Sequence, residues 1–150
     1  AAPDGLQDVS IMMHQAGFMA DALDKAAAKV AERDGGGRRL IDDAAVAYRL
    51  GRSAARMEAA LSAPSIFGRV ALAQTMRDIS PELMDILGTA SALPIGTDGA
   101  ADDGASEYVF RFAPLVGIYG GTLEVFRNMI AQYMLGLGKP AYAPVAPKAQ

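Results

Sequence analysis

At 150 residues and 51% hydrophobic, the chain is of a size for one domain with a real core, and a second independent domain would be cramped. Its 14 Lys and Arg against 17 Asp and Glu leave a net charge of −3, and the cations are scattered, which excludes the basic footprint of a nucleic-acid surface. With no Cys and a single His, disulfide scaffolds, thiolate metal sites and histidine-rich metal clusters are excluded as well.

The predicted elements are helical, because apolar residues recur at helical rather than alternating spacing. Val9, Met12, Ala16, Met19, Ala20, Leu23, Ala27 and Val30 mark one face of a first helix, which the Gly35-Gly36-Gly37 run must end. Asp42 and Asp43 stand where a helix start favours negative charge, and Val46, Leu50, Ala54, Met57 and Leu61 form the next stripe. Pro64 closes or follows that element. A third stripe runs through Ile66, Val70, Ala73, Met76, Ile79, Leu83, Ile86 and Leu87, with a kink or a fresh start expected at Ser80-Pro81-Glu82. Residues 93–106 are rich in Gly, Asp, Ala and Thr and read as a long surface loop. A short amphipathic piece over 107–116 precedes the last helix, whose stripe is Phe126, Met129, Ile130, Tyr133 and Leu137 and which Gly136, Gly138 and Pro140 stop. The expectation is an all-α, up-down four-helix bundle over residues 1–138 with a loose tail at 139–150. No apolar run approaches the roughly 18 residues of a membrane span. No basic and apolar leader is evident either, so a soluble, cytoplasmic protein without nucleic-acid or membrane partners is expected. A start at Ala1-Ala2-Pro3 fits a processed, trimmed or excised piece, and equally a complete protein that has lost its Met.

Few residues stand out for chemistry. Gly120 and Gly121 permit backbone angles closed to other residues, and Thr122 can cap the helix that follows, so the amides there form either a plain turn and cap or an anion site. His14 has no visible acid or metal partner, the 8 Met residues read as adaptable core filler, and Asp102 and Asp103 read as solvated loop charge.

The stretch from Ile118 to Ala131, with Tyr119-Gly120-Gly121-Thr122-Leu123-Glu124 at its head, closely resembles the C-terminal signature of flavin-dependent acyl-CoA dehydrogenases. Arg111 to Tyr119 resembles the approach to that signature, and Leu83 to Gly88 the helix end before the family's variable loop. Leu23-Asp24 with Arg33 to Arg38 matches in spacing a stretch where relatives carry an arginine, an aromatic and a glycine. The resemblance spans roughly Leu6 to Leu137. It implies the all-helical C-terminal domain, which in the family packs on an N-terminal helical domain and a middle β-domain, and across a subunit interface, to enclose FAD. Cofactor-binding positions implied in this way are Arg33, Gly88, Tyr119, Gly121, Thr122 and Glu124. Arg33 matches the arginine that approaches the flavin pyrophosphate of a neighbouring subunit, while Gly36 replaces the usual aromatic. Arg33 also reads as a solvated charge ending a helix, and Glu124 as a dipole-favoured acid in a first turn.

The implied reaction is α,β-dehydrogenation of an acyl-CoA thioester, in which a carboxylate takes the α-proton and the β-hydrogen leaves as hydride to the flavin. Many members carry the base glutamate just after the tyrosine, where this chain has Gly120. Others place it near the start of the first helix, which falls at Gln7, beside Asp8 as a short-reaching substitute that does not point the same way. Three readings stand open: a base from outside these residues, a non-catalytic partner in a heteromeric dehydrogenase, or a fold used without the oxidation. The implied partners are the remaining dehydrogenase domains or a catalytic partner subunit, and an acyl-CoA, in a homo- or hetero-oligomer.

Overall fold

The computed structural model describes residues 10–138. Gln7 and Asp8, and the tail expected at 139–150, lie outside the described residues. Five α-helices follow in order: α1 (Ser10–Ala31), α2 (Ala44–Ser62), α3 (Ser65–Leu87), α4 (Ala105–Val116) and α5 (Leu123–Met129). A π-helical turn (Ile130–Met134) continues α5, and no strand occurs among the described residues.

Only Ala63 and Pro64 separate α2 from α3, so the chain must fold back on itself. Ion pairs record the antiparallel register: Arg56 meets Asp78, Arg52 meets Glu82, and Arg49 meets both Glu82 and Asp85. Across the other side, Phe18 of α1 packs edge-on against Tyr108 and Phe112 of α4, while Lys25 feels the charge of Asp103 and Asp102. These pairs run α1 and α4 in opposite directions. The result is an up-down helical bundle with α3 in its centre, packed against each of the other four helices.

On α3, Leu72, Met76, Ile79 and Leu83 recur at helical spacing and are fully buried, each contributing about 1.5–3 kcal/mol of burial. The first stripe is rotated slightly from its expected position. Ala16, Met19, Leu23 and Val30 are buried as expected, but Ala22 and Ala26 are buried in place of Ala20 and Ala27. Alanine carries too little apolar surface to set a helix's rotation alone, so the larger side chains decide it.

Three further expectations are revised. Pro81 does not restart its helix, and α3 runs from Ser65 to Leu87 with Pro81 inside it. Pro81 and Arg77, whose carbonyl loses its donor, both face solvent, where water can replace the missing bond. The fourth wall of the bundle is α4, which buries Ala105, Val109, Ala113 and Val116, whereas α5 is short and buries Leu123. Finally, the segment after α3 is not a surface loop throughout. A 3-10 turn (Thr89–Ala92) follows Gly88, α4 begins at Ala105, and Ala101, Asp102 and Gly104 are buried.

Asp102 is thus not a solvated charge. Its Oδ2 accepts a hydrogen bond of 2.9 Å from the buried Ser106 amide and satisfies an orphan donor in the first turn of α4. Asp103 is exposed, as expected. No group of three potential metal ligands occurs among the described residues, and no described helix is long and apolar enough to cross a membrane.

Candidate functional site

The glycine bend joins the C-terminal end of α4 to the start of α5. Gly120 has φ +70° and Gly121 φ +125°, angles that side chains rarely adopt, so both glycines are required by backbone geometry. A Cβ on Gly121 would also lie 3.3 Å from the Phe126 ring, whereas one on Gly120 would meet nothing within 4 Å. Thr122 then caps α5, its Oγ1 accepting from the Val125 amide at 3.4 Å.

Most polar backbone groups of the bend are paired. The Leu115 carbonyl accepts from the Ile118 and Tyr119 amides, and the Gly117 carbonyl accepts from the Leu123 amide at 3.1 Å. Among the described residues, the amides of Gly120, Gly121 and Thr122 have no protein acceptor. Glu124 sits beside them in the first turn, exposed and 3.6 Å from Arg127. Its carboxyl is held below the ordinary range by its own backbone amide first and then by the Thr122 hydroxyl, which outweigh a small opposing effect of burial.

Arg69 of α3 has no counterpart among the residues singled out from sequence. Its Nη1 donates to the Val116 carbonyl at 2.5 Å and its Nη2 to the Tyr119 carbonyl at 2.9 Å. The guanidinium carbon lies 5.6 Å from the Tyr119 ring centre and 5.2 Å from that of Phe126. Burial pushes this guanidinium below its ordinary pKa, although an arginine keeps its proton in such surroundings. Arg127 of α5 adds a second tie to α3, donating to Gln74 Oε1 at 3.1 Å.

Arg33 and Gly88 lie elsewhere. Arg33 follows α1 and donates from Nη1 to the Gly37 carbonyl at 2.6 Å, inside a tight loop built on Asp34. Asp34 Oδ1 accepts from the Gly36 and Arg38 amides, and Gly37 takes φ +80°. Gly36 therefore serves an Asp-centred turn, and a side chain there would press on Asp34 Oδ1 at 3.3 Å. Gly88 takes φ +75° and ends α3, its amide bonded to the Met84 carbonyl, with Ser91 Oγ donating to the Met84 and Gly88 carbonyls. Next to these residues opens a cleft of about 710 Å³, lined by Lys29, Arg33, Arg38, Arg39, Asp42 and Leu87 among others.

The candidate residues thus form two groups rather than one. Arg69, at the bend, and Leu87, at the cleft, are 18 residues apart on one continuous helix, roughly 27 Å along its axis. Arg111 joins neither group. It is exposed on α4 and paired with Glu107 one turn away. His14 is exposed and meets the Phe18 ring edge at 4.9 Å.

Residues 9–65 match the family model described as the acyl-CoA dehydrogenase C-terminal domain, a stretch that holds α1 and α2. The chain is also similar to a solved structure, the ChsE4–ChsE5 complex from Mycobacterium tuberculosis. That likeness has a TM-score of 0.74 and 27% identity over 84% of this chain. Both likenesses point to the C-terminal helical domain of acyl-CoA dehydrogenases, and the chain spans 36% of the length of the solved chain it matches. No curated protein matches it. The left-handed glycines at 88, 120 and 121 thus play distinct parts: Gly88 terminates a bundle helix, whereas Gly120 and Gly121 form a bend and their amides have no acceptor among the described residues.

Proposed function

We propose that this chain is the C-terminal domain of a flavin-dependent acyl-CoA dehydrogenase that contributes part of an FAD site and part of a subunit interface, and that it is inactive alone. The observation carrying this reading is the run of three amides at Gly120, Gly121 and Thr122 that lack acceptors among the described residues, beside open space at Gly120. Such donors fit a flavin, whose ring edge and diphosphate offer acceptors. A flavin held there would supply the hydride acceptor for dehydrogenation of an acyl thioester. At the bend, the amides of Gly121 and Thr122, with Tyr119 and Glu124 beside them, would hold it, and Thr122 caps α5.

Arg33 and Gly88 serve a second flavin at the other end of the bundle, where a guanidinium suits a diphosphate. The separation of roughly 27 Å between the two groups supports this division, because one chain cannot bring both onto the same phosphate. A complete site then draws on other domains and on a second subunit.

The missing base favours a narrower version of the same reading. Gly120 has no side chain to take the α-proton, and the matching solved structure is a complex of two named components. On that ground the chain belongs to a subunit that supports flavin binding while a partner subunit supplies the base. The test is the native gene product: its intact mass, its flavin absorbance and its copurifying partners. A flavin-bearing assembly with turnover supports the proposal. Turnover of acyl-CoA by the purified 150-residue chain with FAD alone would refute it.

A further inference from the structure

We propose that Arg69 is the positioning residue of the glycine bend, the group that fixes where the amides of Gly120, Gly121 and Thr122 point. The inference rests on the flavin-side reading of that bend given above, and it adds a residue from a different helix to it.

The backbone leaves a specific gap that Arg69 fills. Helix ends carry carbonyls without intrahelical partners, and at the end of α4 local amides satisfy those of Pro114 and Leu115. The Gly117 carbonyl is taken by Leu123. Among the described residues, the Val116 and Tyr119 carbonyls accept from no backbone amide. Arg69 supplies one donor to each.

Those two carbonyls stand on either side of the Gly117-Ile118 turn, so a single planar guanidinium sets the distance between the end of α4 and Tyr119. A guanidinium fork can do this, whereas an ammonium acts as a point charge. Among the described residues Arg69 has no carboxylate within salt-bridge reach, so nothing diverts it from the carbonyls. The two rings complete the clamp. Tyr119 precedes the glycines and Phe126 follows them, and both lie within cation–π range of the same guanidinium. Phe126 also presses on the Gly121 position, so the contact that holds Arg69 also limits the bend's freedom. The mixture of half-buried cation, two carbonyls and two rings is costly to assemble for packing alone. An apolar residue at 69 would fill the same volume without desolvating a charge.

The test compares Arg69→Met, which keeps the stem but not the donors, with Arg69→Lys, which keeps the charge but not the fork. Amide hydrogen exchange on the 150-residue chain reads the bend directly. Arg69→Met is expected to speed exchange at Tyr119, Leu123 and Val125 by about tenfold or more while Met19, Ala26 and Ile79 keep their protection. Arg69→Lys restores only part of it. In the assembled flavoprotein, Arg69→Met is expected to weaken FAD retention by a similar factor, read from released flavin fluorescence. Unchanged exchange at the bend, or a uniform loss across the whole bundle, overturns the positioning role and leaves the flavin-side reading intact. Local loosening with undiminished FAD retention supports the positioning role and overturns the flavin-side reading of the bend.

Discussion

Replacing Gly104 by Ala separates two effects that glycine substitutions usually mix. Gly104 precedes α4 with φ +79°, and a Cβ there would lie 2.3 Å from the Ile95 amide nitrogen, 2.6 Å from the Pro94 carbonyl carbon and 2.7 Å from Ile95 Cα. All three atoms are backbone, so no side-chain rotamer can relieve the overlap. Gly96 and Gly99 in the same segment have φ +82° and +83° but nothing within 4 Å of an added Cβ. At those two positions Ala costs the left-handed penalty alone, about 1–2 kcal/mol. At Gly104 the overlap adds the cost of a forced backbone shift, about 1–3 kcal/mol, for a total of roughly 2–5 kcal/mol. A midpoint of about 3.5 kcal/mol corresponds to a fall in Tm of about 7–14 °C for a domain of this size. Urea titrations followed by helical circular dichroism, run on Gly96→Ala, Gly99→Ala and Gly104→Ala side by side, measure the difference. If Gly104→Ala costs no more than the other two, the close approach of residues 94–95 to the start of α4 is wrong. The register of α4, and hence the placement of the bend at its far end, then loses its anchor.

Glu82 supplies a pH signature. Burial raises its carboxyl pKa, but hydrogen bonds and charge from Arg52 and Arg49 outweigh this and leave it below the ordinary value of 4.5. A depressed folded pKa means stability that is fully present above 4.5 and is lost as pH falls from there through the folded value. Glu82→Gln should therefore cost about 1–2 kcal/mol at pH 7 and flatten the acid limb of a stability–pH profile; an unchanged acid limb counts against the pairing. Asp43→Ala removes the cap that accepts from Ala45 and Val46, and is expected to cost about 1 kcal/mol in thermal or urea unfolding, as caps generally do. Gly120→Glu has room for its side chain but takes on a left-handed strain of about 1–2 kcal/mol. In the flavin-bearing assembly it is expected to alter turnover on at least one acyl-CoA, and no change across a series of chain lengths argues against a substrate-facing bend.

The bundle was legible because its largest apolar residues sit at helical spacing. Leu83, Ile79 and Met76 point inward wherever α3 is placed, since turning them out would expose the apolar surface that drives folding. Pro81 misled because sequence shows the lost donor but not which side of the helix loses it. Solvent exposure on that side makes the loss tolerable. Composition likewise misled at 93–106. Gly, Asp and Thr are turn formers whether a turn is exposed or packed, and what buries Asp102 is the backbone of its own segment folding against the start of α4.

At the site, the local part was readable and the distant part was not. Thr122 as a cap and Gly120-Gly121 as a left-handed bend follow from residues adjacent in sequence, whose chemistry acts within one turn. Arg69 acts over a separation of 47 to 50 residues, and nothing near it in sequence distinguishes it from Arg77 or Arg56 on the same pair of helices. Arg56 faces an aspartate across α2 and α3, and Arg77 is exposed to solvent. The register of α3 against α4 places Arg69 alone opposite carbonyls that the bend has stripped of amides. A charged residue near the end of a bundle helix thus becomes informative only when the backbone acceptors of the neighbouring helix end are counted. Here, among the described residues, that count leaves two carbonyls, one guanidinium and three amides without an acceptor at a single turn.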